Sequence, residues 1–433
     1  MANRQASSGV ANLSDLKKRL VFLIGALIVF RIGAHIPVPG VDAAALAKLY
    51  ESAGGGILNM LNMFSGGSLQ RFSVFAIGIM PYISASIIVQ LASEIMPSLK
   101  ALKKEGEAGR RIITKYTRYG TVLLATLQSF GVATFVYSQN IVVASKFEFF
   151  TSTVFCLVGG TMFLMWLGEQ MTERGIGNGI SLIITAGIAA GLPSGALQLW
   201  TLLDQGSIGA PMAVAILVGA LVLIYVVVCF ESALRKVPIH YAKRQTGSFF
   251  AQNQNTHMPF KMNMAGVIPP IFASSIIMFP ATLAGWLGDN TADNWLTRLA
   301  GWLGHGQPAY ILLFAASIVF FCYFYTALVF SPREMAENLK KSGAFVPGIR
   351  PGEQTANYLE GVVLRLTFFG ALYITIICLI PEFLMTAVNV PFYLGGTSLL
   401  ILVVVTMDFN TQLASYKMTQ QYERFDMKSL SRK

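Results

Sequence analysis

Ten apolar runs of helical length limit what this chain can fold into more than any other feature. They lie near residues 20–36, 72–96, 119–138, 149–170, 180–199, 211–230, 263–287, 309–330, 361–380 and 394–412. A helix rises 1.5 Å per residue, so runs of this size match a hydrocarbon core about 30 Å thick. Backbone polar groups cannot stay unpaired in lipid, and the runs are too long and too uniformly apolar for barrel strands, so each is expected to be a helix. With only 12% charged residues among 433, the chain could not cover a soluble surface of its size. The expected class is an all-α polytopic membrane protein with ten transmembrane helices, which excludes a soluble enzyme and a single-anchor receptor.

The net charge of +11 invites a nucleic-acid reading, but position argues otherwise. Of the 32 Lys and Arg, all but Arg31, Lys48, Arg71, Lys146 and Arg298 fall at the N-terminus, in segments 97–118, 171–179, 231–262 and 331–365, or after residue 413. Those are every second connection. The positive-inside rule then puts both termini and the long loops 231–262 and 331–360 in the cytoplasm, as an even number of spans requires. The polar N-terminus leads into span 1 without a small-residue cleavage site, so no removable signal peptide is expected. The four cysteines, Cys156, Cys229, Cys322 and Cys378, each stand alone in an apolar run and suggest neither a disulfide framework nor a metal site.

Two internal matches divide the chain. Residues Gly78 to Ile88 of span 2 align with Gly266 to Ile276 of span 7, six of eleven positions being identical; Gly179 to Ile184 of span 5 align with Gly396 to Ile401 of span 10, four of six being identical. Both pair span n with span n+5. Five spans per half is an odd number, so the halves face opposite ways: an inverted repeat with a shared pathway near the midplane. The expected halves are residues 1–201 and 211–433, joined by a polar, Gly-containing hinge at 202–210. The repeat makes Ile83 equivalent to Ile271 and Ile184 to Ile401, and Ile79 joins Ile83 on one helix face at i, i+4. Pro81 and Pro269 are expected to kink their spans, loosened by the glycines three residues earlier.

Chemistry is sparse. Glu94, Glu169 and Asp408 lie at cytoplasmic ends of spans, so no buried ion relay is visible, and His35, His240, His257 and His305 are far apart in sequence. No residue set for a membrane enzyme, no cofactor and no metal is expected. The cluster Gly175-Ile176-Gly177-Asn178-Gly179 follows no strand and is expected to be a tight turn. An apolar isoleucine ring in a kinked bundle suits a pore that closes by excluding water, with the stiff β-branched side chain as its wall. Between Gly54-Gly55-Gly56 and Ser65-Gly66-Gly67 lies Ile57-Leu58-Asn59-Met60-Leu61-Asn62-Met63-Phe64, too short to cross a bilayer. Flanking glycines suggest a mobile element, either a re-entrant plug under the ring, within a segment 54–70, or an ordinary outer surface helix. The residues alone lead to a gated pore or a carrier of small solutes.

Longer motifs carry a resemblance. Phe30-Arg31-Ile32-Gly33, Asn62 to Gly67, Gly78 to Ser86, Lys104-Glu105-Gly106-Glu107, Thr172 to Gly179, Asn263 to Pro269 and Lys340 to Thr355 are dispersed from about Leu16 to Tyr422. In these the chain resembles the SecY family, the protein-conducting channels of the bacterial Sec translocon, particularly its proteobacterial form. The resemblance implies a clamshell of spans 1–5 and 6–10 that passes unfolded polypeptides across the membrane. Hydrophobic segments would leave sideways through a gate between spans 2 and 7. It implies a pore ring of Ile79, Ile83, Ile184, Ile271 and Ile401, a plug at Ile57 to Phe64, and Ser84 facing Phe279 across the gate. It further implies contact of Lys243, Arg244 and Arg350 with a cytoplasmic partner. The implied partners are the small subunits SecE and SecG, the SecA motor ATPase, the ribosome, secretory and membrane protein precursors and the lipid bilayer, with no nucleic-acid role beyond contact with ribosomal RNA. The implied place is the bacterial inner membrane. Thr246-Gly247-Ser248-Phe249-Phe250 stands where relatives carry further arginines, and Pro270 adjoins Pro269 in span 7.

Overall fold

The computed structural model describes residues 8–42, 45–46, 62, 65–139, 141–206, 209–241, 256–287, 307–388 and 395–430. Ten long helices coincide with the ten apolar runs. They are span 1 (Ser8–Gly33), span 2 (Met80–Ile95), span 3 (Glu107–Ser138), span 4 (Lys146–Arg174), span 5 (Gly179–Asp204), span 6 (Ala210–Ser232), span 7 (Ile268–Leu287), span 8 (Pro308–Val329), span 9 (Glu353–Val388) and span 10 (Gly396–Leu430). Spans 3–6 and 8–10 are each long and apolar enough to cross a bilayer; span 2 reaches that length with the short helix Pro97–Lys104, after a bend of 101°. The bend falls where Met96 is extended, as the residue before a proline prefers. Span 9, at 36 residues, is about 54 Å long and must project beyond a bilayer.

The packing repeats with the sequence. Spans 2–3, 3–4, 4–5 and 1–5 pack within the first half, and spans 7–8, 8–9, 9–10 and 6–10 within the second. Across the halves, span 2 meets span 7, span 5 meets span 10, and span 1 on span 10 mirrors span 6 on span 5. Adding five to each number maps these pairs onto one another, as an inverted repeat of two five-helix halves requires, whereas the packing of span 4 on spans 1 and 2 and of span 3 on span 7 is not matched to the same extent. Span 5 stays helical through Asp204 and span 6 begins at Ala210, so the connection is shorter than the expected hinge at 202–210.

Two expectations need correction. Pro81 and Pro269 do not kink continuous spans: each is the second residue of its helix, where a missing N–H costs nothing. The residues before Pro81, from 72 to 79, form buried turns. Their backbone is satisfied by an extended pairing with residues 36–38 (Val38 N–H to Phe72 O, 2.8 Å; Val74 N–H to Ile36 O, 3.0 Å), so irregular backbone is tolerated there because protein surrounds it.

Between the helices the connections add a small sheet. A three-stranded antiparallel sheet, ordered β2-β1-β3, joins β1 (Leu234–Tyr241), β2 (Thr256–Lys261) and β3 (Ala344–Phe345). Val237 and Ile239 point inward while Lys236, Pro238 and His240 stay exposed, the period-two pattern of a half-buried strand. Val237 and Phe260 pack on Phe330, Leu359, Val363 and Leu366 at the ends of spans 8 and 9.

Candidate functional site: buried isoleucines at helix starts in two inverted halves

Four of the expected ring residues lie near helix starts. Ile83 and Ile271 are the fourth residues of spans 2 and 7, and Ile184 and Ile401 the sixth residues of spans 5 and 10. Each therefore sits about a turn inside its helix. The local geometry is duplicated. Gly78 and Gly266, aligned by the repeat, both take left-handed backbone, with φ of +65° and +63°. One step on, Ile83 N–H bonds Ile79 O and Ile271 N–H bonds the equivalent Val267 O. Left-handed backbone favours glycine, which has no Cβ to clash.

Spans 5 and 10 begin at glycines for a second reason. A Cβ on Gly179 would overlap the backbone of Gly168 in span 4, and one on Gly396 would overlap Ile377 and Cys378 in span 9. The fourth and ninth spans are equivalent, so the same close approach seats the helix carrying each isoleucine. Asn178 caps span 5, its Oδ1 accepting from Ile180 N–H at 3.1 Å, so the glycine cluster is the tight turn expected of it, now with a helix cap added.

All five expected ring residues are buried. Ile79, Ile83, Ile184, Ile271 and Ile401 are buried in one contiguous apolar cluster that takes side chains from both halves, none more than 7% exposed. Val267 belongs to the same cluster; the alignment set it opposite Ile79, and that signal went unused in reading the sequence. Spans 2 and 7 touch where Ser275 Oγ approaches Met80 Sδ at 4.0 Å. Ser84 is half-buried on span 2. Phe279, expected to face it, lies in the span 7 helix with its side chain outside the described residues.

Of the segment read as a plug, Ile57, Leu58, Asn59, Met60, Leu61, Met63 and Phe64 lie outside the described residues. Asn62 is described, and it is an anchor. Its Oδ1 accepts from Gln70 N–H at 2.8 Å and its carbonyl accepts from Gly67 N–H at 2.8 Å and from Ser65 Oγ at 3.1 Å. Arg31 donates to Gly66 O at 3.3 Å, and Gly66 packs directly on Gly187 of span 5. The Ser65-Gly66-Gly67 flank is therefore not loose. Its glycines, at φ +68° and +81°, serve a tight turn and a close backbone approach. Arg31 and Arg71, two cations outside the inside-positive pattern, belong to this anchor: Arg71 Nη1 lies 2.6 Å from His35 Nε2, and His35 Nδ1 meets Arg31 O at 2.8 Å.

The carboxylates at span ends are ion-paired: Glu94 with Lys103 (2.7 Å) and Lys100 (3.5 Å), Glu169 with Arg118 through both oxygens, and Asp408 with Lys261 (3.3 Å). On the same side of the molecule Arg350 is exposed beyond a turn closed by Ile349 N–H to Val346 O (3.1 Å), with Gly348 and Gly352 left-handed on either side. Strand β3, just before this turn, pairs with the far end of β1 (His240 with Phe345, Tyr241 with Ala344). Lys243 and Arg244 lie outside the described residues, two and three positions beyond Tyr241. Two loops that the sequence kept separate thus share one sheet.

A family model described as SecY matches residues 73–410. The chain is 58% identical to the protein translocase subunit SecY of Escherichia coli (strain K12) over 96% of its own length and 95% of that protein. It is 58% identical to the subunit of Vibrio cholerae (97% and 95%) and 55% identical to that of Pseudomonas aeruginosa (98% and 96%). Among solved structures it is similar to a protein-conducting channel with a TM-score of 0.69 at 18% identity, over 94% of this chain and 93% of that one. It is also similar to Sec61 in a canine ribosome–channel complex, with a TM-score of 0.66 at 18% identity over the same shares; at that identity the likeness concerns the fold.

Proposed function

The chain belongs to the SecY family, the channel subunits of protein translocases, and from that footing we propose how its own residues carry unfolded polypeptide. It is a multi-pass membrane protein and the pore-forming part of such a translocase. The small-solute carrier left open by the residues alone is set aside by this membership.

Ile79, Ile83, Ile184, Ile271 and Ile401 form the constriction, and their burial in one apolar cluster drawn from both halves, near equivalent helix starts, is the observation that supports the reading. An apolar ring too narrow for hydrated ions stays dry at rest, yet makes no sequence-specific hydrogen bond to a peptide passing through it. Hydrophobic segments leave between spans 2 and 7, past Ser84 and Phe279. Residues 57–64 seal the outer side, a role supported by the anchor that Asn62, Ser65 and Gly66 form beside them. Residues 1–201 and 211–433 move as two halves about the short connection near Gly206.

The protein has no catalytic residue of its own and is driven by a partner: a motor ATPase of the SecA kind, or the ribosome during synthesis. Lys243, Arg244 and Arg350 are the contact side chains, a reading supported by the pairing of β3, just before the Arg350 turn, with the end of β1. The charge pattern supports cytoplasmic termini in the bacterial inner membrane, and small SecE- and SecG-type subunits complete the complex. The test is import of a secretory precursor into vesicles holding the purified complex and the motor. ATP-dependent protection of the precursor from protease supports the reading; saturable uptake of a small solute without precursor import would refute it.

A further inference from the structure

The two matching hinges are not held in the same way. Before span 2, the turn at Gly78 is closed by backbone alone, Gly78 N–H to Phe75 O at 2.9 Å, with the Phe75 ring stacked between Phe30 and Phe163. Before span 7, Asn263 occupies the place of Phe75, and its side chain does the closing: Gly266 N–H donates to Oδ1 at 3.0 Å, and Nδ2 donates to Gly266 O at 3.2 Å. The same Nδ2 donates to Glu231 Oε1 at 2.6 Å. Glu231 ends span 6 and Asn263 follows β2, so their bond clasps the base of the β1–β2 hairpin, beside Met262 N–H to Ala233 O at 3.1 Å. Both side chains are buried, 8% and 4% exposed.

A second group sits beside this clasp. The ring of Tyr373 in span 9 stacks on Phe230, the residue before Glu231, with centroids 4.3 Å apart and 5° between planes. The Tyr373 hydroxyl is buried and has no hydrogen-bond partner among the described residues. An unpaired buried hydroxyl is costly, and so is a buried carboxylate stripped of its donor. An orphaned donor near an acceptor committed elsewhere is half of an alternative arrangement.

We propose that Glu231 is a two-position positioning residue of the span 7 hinge. With the gate helix seated it is bonded to Asn263; once a docked partner has displaced the hairpin it is bonded to the Tyr373 hydroxyl. The exchange conserves the hydrogen bonds of the carboxylate and frees Gly266, whose turn aims Ile271, to move with the hairpin. This rests on the reading that a partner engages the loop 231–262.

Tyr373→Phe keeps the stack and removes only the donor. In the full complex it should leave the thermal midpoint of the resting channel unchanged or raised and motor affinity unchanged. Motor-driven import should slow roughly three- to tenfold, the range one net hydrogen bond supplies. Import at the wild-type rate, or a loss matched by a fall in the midpoint, overturns the proposal. Asn263→Ala should unseat the gate helix without any partner and raise resting ion conductance; an unchanged conductance also overturns it. Lys243→Glu with Arg244→Glu tests the docking reading separately. If motor affinity survives that change, the docking site is wrong, while the partner-free Asn263→Ala conductance still decides the switch.

Discussion

An isoleucine about one turn inside a helix has its backbone held by the first hydrogen bonds of that helix and its β-branched side chain held by rotamer preference. Four helices each contribute such a residue to one buried cluster, the stiff wall of the proposed constriction. At the same scale Arg350 stands on a firm turn: Thr355 Oγ1 bonds its carbonyl at 2.9 Å while the side chain is exposed. A guanidinium displayed this way offers a fixed fork of donors to an acidic partner. Arg350→Glu should therefore cut motor-driven import by at least about tenfold, a loss the size of one hydrogen bond to a charged group, with channel yield and resting conductance unchanged. Wild-type import would make it an ordinary topology charge. Asn62→Leu leaves the Gln70 N–H without its acceptor and should destabilise the channel by about 1–3 kcal/mol in thermal unfolding. The eightfold run from Ile57 to Phe64 looked uniform in sequence because a buried anchor asparagine and a solvated one are the same letter.

Helix starts, not helix bends, organise the elements. In a 25-residue apolar run a proline that opens a helix and one that kinks it give the same hydropathy; the difference lies in Gly78 and Gly266, whose left-handed φ cannot be read from the letters. The β1–β2 hairpin escaped notice because only Val237 and Ile239 carry its alternation, among charged residues and Pro238. By contrast the ten spans and the glycines of both repeat motifs were legible, since lipid demands long apolar runs and close helix approach demands a missing side chain. Gly179→Ala and Gly396→Ala should each cost about 1–3 kcal/mol through overlap with backbone of spans 4 and 9, and equal losses would confirm that the two sites are equivalent. A midpoint unchanged in either variant would break the equivalence. Removing residues 57–61, which spares Asn62, should leave yield intact and raise resting conductance. Loss of insertion would instead make the segment a structural helix.

For the molecule as a whole, the inverted repeat contributes two helix starts from each half to one buried apolar cluster, which on the proposed reading is the constriction. Its alternating charge pattern and repeat were readable because each is a property of the full length; the sharing of one sheet by loops 231–262 and 331–360 was not, since strand pairing across some hundred residues leaves no local mark. The central claim is that this buried apolar cluster is the seal of a protein-conducting pore. It is tested most directly by planar-bilayer recording of the purified complex with Ile83, Ile184, Ile271 and Ile401 all replaced by Ser. Polar walls should wet the constriction and give a resting ion conductance well above that of the unaltered channel, at comparable protein yield. A variant that folds, inserts and conducts no more than wild type would contradict it.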